Sequence, residues 1–254
     1  MMSLIYINTQ EWLRLKFLQV VFFLSFAYIC ISYLLATLSF TEQARIKFDL
    51  GLAGMEITTF LVAAFISTHA LHRDIERKTF QVILARPIAR WNLLVGYLGS
   101  LFVLNAILIA FLGLTMTLFF DFDGDLGKSL FNLVVMMITI LLKSVVIGAF
   151  GIMISTVARP MFSLVFTVSY WILAYSISDI EYFIQKAELQ GLNFIVTGLN
   201  FFVPQFYTFN WKSFYYMKNG FVGTEILWSW FHCVGWIFLL VFAASLLIRR
   251  KDIV

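Results

Sequence analysis

Two ionisable residues stand where ionisable residues are costly. Glu56 and Lys143 each interrupt an apolar run with no other charge, Leu50–Leu71 and Leu130–Ala158. A charge near the centre of a bilayer costs at least about 2.5–3.5 kcal/mol on insertion scales, so such a residue ordinarily faces protein or a water-filled cavity. The chemistry open to this pair is a polar lining for a translocation path or an ion pair between two membrane segments. The plain alternative is a side chain that snorkels and finds a local hydrogen bond. Lys143 falls at about the middle of its run. Glu56 lies roughly 10 Å in from the N-terminal end of its own, at 1.5 Å per residue.

The remaining reactive residue types point away from catalysis. His69 and His72 stand three apart, a spacing that can put both on one helix face. A metal site would need more ligands at that level, and Asp74 alone is near, so an interfacial structural role is expected. Cys30 and Cys233 both fall inside apolar runs and read as small core residues. The sequence holds no GxxxxGK[ST], HExxH or GxSxG, which argues against a P-loop ATPase, a zincin and an α/β-hydrolase. One acid within the apolar runs cannot make a carboxylate pair, and an intramembrane enzyme needs a nucleophile and a base facing each other. No catalytic residue, metal ligand or cofactor of the chain's own is expected.

The elements that must carry these residues follow from composition. The 254 residues are 61% hydrophobic and 13% charged, against about 45–50% and 25% in soluble domains. Mean hydropathy is +0.91. A helix needs roughly 20 mostly apolar residues to cross the hydrocarbon core. Six stretches qualify or nearly so: 17–41, 50–71, 91–120, 130–158, 161–178 and 226–248. The fifth, Met161–Ser178, is short, at 18 residues. The first has no small-x-small site after it, so it should stay as a span. The expected fold is an all-α membrane protein of one domain, 1–254, with six transmembrane helices. Residues 3–16 mix Leu4, Ile5, Ile7, Trp12 and Leu15 with Glu11, Arg14 and Lys16, as a helix lying on the membrane surface would.

Charge asymmetry orients the spans. With both termini cytoplasmic, the inner segments hold 11 bases and four acids, and the outer segments six bases and nine acids. The positive-inside rule favours that placement. The outer segment 179–225 is dense in aromatic rings, among them Phe201, Phe202, Phe206, Tyr207, Phe209 and Trp211. Rings at such density ordinarily lie at headgroup level. Ile180–Gln190 reads as a short interfacial helix, and Leu192–Val203 as a re-entrant or second interfacial piece ending at Pro204. A small packed extracellular cap is the other possibility.

The inner loop reads ALHRDIERKTFQVILARPIARWNLLVGYLG from Ala70 to Gly99. Asp74 to Arg86 can form a helix of about three and a half turns, closed by Pro87. Ile75, Thr79, Val82, Ile83 and Arg86 share one face at three- and four-residue steps. This loop resembles the one between the second and third spans of type-2 ABC transporter permeases. That family's pattern is an acidic–basic cluster, E-x-G-T, a leucine-like pair, P-[IV]-S-R and an apolar span opening with G-K. Glu76, Thr79, Ile83-Leu84, Pro87-Ile88 and Arg90 occupy those positions, followed by Gly96, while Lys78, Ala89 and Tyr97 depart from them. Glu11, Arg14 and Lys16 are similar to the family's N-terminal surface helix. The stretch Phe202-Val203-Pro204-Gln205-Phe206 through Phe209-Asn210 is similar to the multicopper-enzyme-maturation branch.

The resemblance implies a permease subunit of an ABC exporter in the cell membrane, the inner membrane in a bacterium. It implies a coupling helix that docks into a separate ATPase subunit through Asp74, Ile75, Glu76, Arg77, Thr79, Phe80, Ile83, Leu84, Pro87 and Arg90. ATP and Mg would sit on that partner, and a second permease copy would complete the transporter. No nucleic acid is implied. The rival reading is a secondary transporter or channel, which usually shows repeat symmetry or broken helices; neither is evident in the sequence.

Overall fold

Within hydrocarbon a backbone has no water to bond, so an apolar run must satisfy its own N–H and C=O groups as a helix or close into a barrel. The computed structural model takes the first course. It describes residues 2–38, 43–76, 90–119, 126–186, 193–209 and 223–250. Among these stand eight α-helices: α1 (Met2–Leu13), α2 (Lys16–Thr37), α3 (Gln43–Glu76), α4 (Arg90–Phe119), α5 (Leu126–Ser155), α6 (Pro160–Lys186), α7 (Asn193–Phe202) and α8 (Gly223–Arg250). A 3-10 turn, Phe206–Phe209, follows α7.

Six helices are long and apolar enough to cross a membrane, with candidate spans Lys16–Leu35, Arg45–His69, Trp91–Leu118, Leu130–Ser155, Pro160–Ile184 and Gly223–Ile248. The spans α3 and α5 form the centre: 67% of the most apolar stretch of each is buried, against 28% for α2 and for α6. α3 and α5 pack most extensively on each other, with α2 against α3 and α8 against α5. Exposed apolar side chains such as Phe23, Leu118, Phe166 and Phe238 lie on the outer helices, where lipid tails are their natural surroundings. Hydroxyls inside the spans bond back to their own helix, as Ser25 does to the Val21 carbonyl, Thr139 to Val135 and Thr167 to Ser163. That local bond lets a polar residue sit in an apolar layer without an orphaned donor.

The fifth span corrects the sequence expectation. The apolar run stops at Ser178, but α6 continues to Lys186. Asp179–Lys186 therefore prolongs the span and does not open a separate interfacial helix. The helix lacks a breaker at the boundary, and Ile177 beside that boundary is buried, so nothing ends it where the polarity changes. Its start is sharper. α5 closes with Val157 N–H and Ala158 N–H bonded to the Ile154 carbonyl, and Pro160 opens α6, where a missing N–H is harmless. Similarly, α3 is 34 residues long, about 51 Å at 1.5 Å per residue, and overruns the expected 50–71 at both ends.

The N-terminal helix is docked against the spans. Trp12 is 2% exposed and stacks on Tyr97 of α4, centroids 6.4 Å apart. Glu11 pairs with Arg73 near the end of α3, 3.1 Å between charged atoms. Tyr6 and Ile7 on the other side are exposed. Of the coupling residues expected, Asp74, Ile75 and Glu76 are the last three residues of α3, and Arg90 is the first of α4. The α3 helix thus runs unbroken into the stretch expected to begin a separate coupling helix. Arg77, Thr79, Phe80, Ile83, Leu84 and Pro87 lie outside the described residues.

Candidate functional site

Three spans converge on one charge cluster. α3 contributes Glu56, α5 contributes Lys143 and α6 contributes Tyr175. Lys143 Nζ donates to Glu56 Oε1 at 2.8 Å and to the Tyr175 hydroxyl at 3.0 Å. The Tyr175 hydroxyl in turn donates to Glu56 Oε1. A phenol suits this bridging place because it accepts from an ammonium and donates to a carboxylate at once. The Lys143 side chain is 8% exposed and that of Glu56 15%, so the two charges are withdrawn from the surroundings together.

The depth of the cluster differs from the sequence expectation for Glu56. Its candidate span begins at Arg45, so Glu56 stands eleven residues from one end and thirteen from the other. Lys143 is thirteen residues from Leu130 and twelve from Ser155. Both are at mid-span, which is what allows them to meet. Glu56 looked shallower because polar residues between Arg45 and Asp49 hide how far the helix extends.

The segment between α6 and α8 covers this cluster. After α7, Pro204 and the 3-10 turn carry Phe206 and Phe209 inward, both buried. The Phe206 ring meets Tyr175 edge-on at 5.8 Å, and the Lys143 ammonium lies 6.0 Å from the Phe209 centroid and 5.1 Å from that of Tyr175. A ring face attracts a cation, more strongly where water is excluded. Phe209 also approaches His232 of α8 at 6.2 Å, and His232 Nε2 accepts from Trp236 Nε1 at 3.0 Å. The turn Phe206–Phe209, just beyond the piece 192–203 expected as re-entrant or interfacial, thus reaches the level of the mid-span charges.

Neighbouring contacts hold the three spans in register. Phe60 of α3 stacks on Trp171 of α6 at 4.2 Å, and Phe150 of α5 on Tyr170 of α6 at 3.8 Å. Asn105 of α4 donates to Ser144 of α5, and Trp230 of α8 donates to Thr139 of α5, each at 3.0 Å. Gly54, two residues before Glu56, lies against the Tyr28 ring, and a Cβ there would run into it.

The sequence singled out Glu56 and Lys143, and the structure brings them together. It did not single out Tyr175, and it named Phe209 only within the aromatic outer segment and the stretch from Phe202 to Asn210. A tyrosine mid-span should have been the signal, since a buried phenol needs a partner. For Phe209 no local signal exists, because its position depends on the turn at Pro204. The His69 ring is stacked on Phe65, with Nδ1 3.0 Å from the Phe65 carbonyl oxygen. Among the described residues no group of three His, Cys, Asp or Glu is placed to hold a metal ion. Cys233 is buried and Cys30 half-buried, both as free thiols.

A cluster of this kind can neutralise and hold charge inside a membrane. No curated protein matches the chain. A family model described as ABC-2 family transporter protein matches residues 20–252, which takes in all six spans but for the first turn of α2. By that match over nearly its whole length, this six-span chain belongs to the ABC-2 family of transporter proteins.

Proposed function

We propose that this protein is the membrane-spanning permease subunit of an ATP-driven exporter, working with a separate ATPase subunit and a second permease copy. The observation that carries the reading is the family match over residues 20–252. Two sequence features support it. The chain has no phosphate-binding loop of its own, and the segment from Asp74 to Arg90 has the residue pattern of a coupling helix. The charge asymmetry supports cytoplasmic termini, which would put that segment on the side where ATP is available. The stretch from Phe202 to Asn210 supports a place in the multicopper-enzyme-maturation branch.

Within this function Glu56 and Lys143 are the polar group that a substrate path meets at mid-membrane when the spans move. What supports the assignment is their depth and their cover of Phe206 and Phe209, which a movement of the outer segment would lift. The completeness of the cluster favours a second reading, a static staple between α3, α5 and α6. The first test is association. A detergent extract of the tagged chain should bring down an ABC ATPase, and ATP hydrolysis should require both proteins. Robust hydrolysis by the isolated chain, or capture of no such ATPase, would overturn the permease-subunit reading.

A further inference from the structure

The structure points to a binding site for an anionic phospholipid between α1, α3 and the start of α6, a site separate from the charge cluster. A cavity of about 260 Å³ opens there. Its apolar walls are Trp12, Leu15, Phe65 and Pro160, and its polar edge is His69, His72 and Arg73. Sites that enclose a small molecule whole usually measure about 300–1,000 Å³. This one is better matched to part of a larger amphiphile whose remainder stays outside.

Level and charge say which amphiphile. His69 ends one candidate span and Pro160 begins another, so the cavity lies where a span meets the headgroup layer. Three bases flank the lining residues in the chain: Arg14 and Lys16 on either side of Leu15, and Arg159 before Pro160. All three are exposed. With Arg73 they make four bases in or next to the lining, against two acids on the same reckoning: Glu11, which pairs with Arg73, and Asp74, which follows Arg73 in the chain. A surplus of positive charge above an apolar recess is complementary to a phosphate-bearing headgroup above acyl chains. A zwitterionic lipid would gain less, since its own cation meets the same bases. The lipid would seat against Trp12 and Phe65 together, joining the docked N-terminal helix to the end of α3.

The test uses the full chain in phosphatidylcholine nanodiscs containing a small share of photoreactive phosphatidylglycerol, with cross-linked peptides mapped by mass spectrometry. Labelling should fall on residues 12–16 and 65–73, and a photoreactive phosphatidylcholine should label them far less. Arg73→Gln should reduce labelling about fivefold, the worth of one basic group near an anionic leaflet. Arg73→Lys should restore it. Glu11→Gln, which removes the ion pair but keeps the base, should preserve labelling. Leu15→Trp, which fills the recess without altering charge, should abolish it while the protein stays monodisperse. Equal labelling by both lipids, or labelling confined to other faces, would overturn the proposal. So would protection by inorganic phosphate alone, the mark of a free-anion site. Loss in Glu11→Gln as large as in Arg73→Gln would also overturn it, because the ion pair would then be only a clasp for α1.

Discussion

Lys143 Nζ lies 2.8 Å from Glu56 Oε1 although 87 residues separate them in the chain. The contact joins α3 to α5 at mid-span, and Tyr175 adds α6 to it. Removing one partner of a buried ion pair costs about 3–5 kcal/mol, because the other charge is left uncompensated. Glu56→Gln and Lys143→Leu should each lower the thermal midpoint of the detergent-solubilised protein. The double variant should lose less than the sum, a non-additivity that a double-mutant cycle reads directly. Strict additivity would contradict the pairing. If the pair meets a substrate path, Lys143→Leu should also change transport or substrate-stimulated ATP hydrolysis while membrane insertion is intact. Normal transport by that variant would assign the cluster to a static role.

Tyr175→Phe isolates the bridging hydroxyl. The ring contacts to Phe206 and to Trp171 remain possible, so packing is little changed. Loss of the hydroxyl from a buried charged network should cost about 1–3 kcal/mol. The expected result is a thermal midpoint between those of the wild type and of Glu56→Gln. A midpoint equal to wild type would remove Tyr175 from the cluster's energetics.

The docking of α1 depends on Trp12. Truncating a buried tryptophan to alanine costs about 3–5 kcal/mol, here at a helix also held by Ile5 against Gly99, the Ser100 bond and the Glu11–Arg73 pair. Trp12→Ala should speed tryptic cleavage at Arg14 and Lys16 in the solubilised protein, with the six spans still inserted. Unchanged cleavage would show that α1 is held from elsewhere.

Orientation has a direct chemical readout. In a background with Cys30 and Cys233 replaced by alanine, single cysteines at Glu188 and Lys212 should react with an impermeant thiol reagent added to intact cells. Cysteines at Lys78 and Lys251 should react only after lysis. All four positions lie outside the described residues, so the expectation rests on the charge count. The reverse pattern would invert the topology.

Coupling rests on the loop motif. Glu76→Ala and Phe80→Ala should weaken ATPase association or uncouple hydrolysis from transport without disturbing insertion, since helix-in-groove contacts depend on apolar anchors with a charged rim. Full partner binding and full transport in both variants would refute the coupling assignment.

The six spans were legible from residue types alone, because a run of about 20 apolar residues has only one open way to satisfy its backbone in hydrocarbon. The isolation of Glu56 and Lys143 in such runs was equally plain, and the cost of an intramembrane charge demanded an explanation for each. Where the helices end was less legible. α6 continues past Ser178 because hydrogen bonding continues a helix through polar residues, while hydropathy registers only where lipid stops. That extension, and the early start of α3, set the depth at which side chains can meet. The choice of partner was decided by packing: α3, α5 and α6 must stand side by side before Glu56, Lys143 and Tyr175 share one space. Pairing across spans depends on rotation and register between helices. Those are properties of the interfaces between spans, and the pattern within any single span does not encode them.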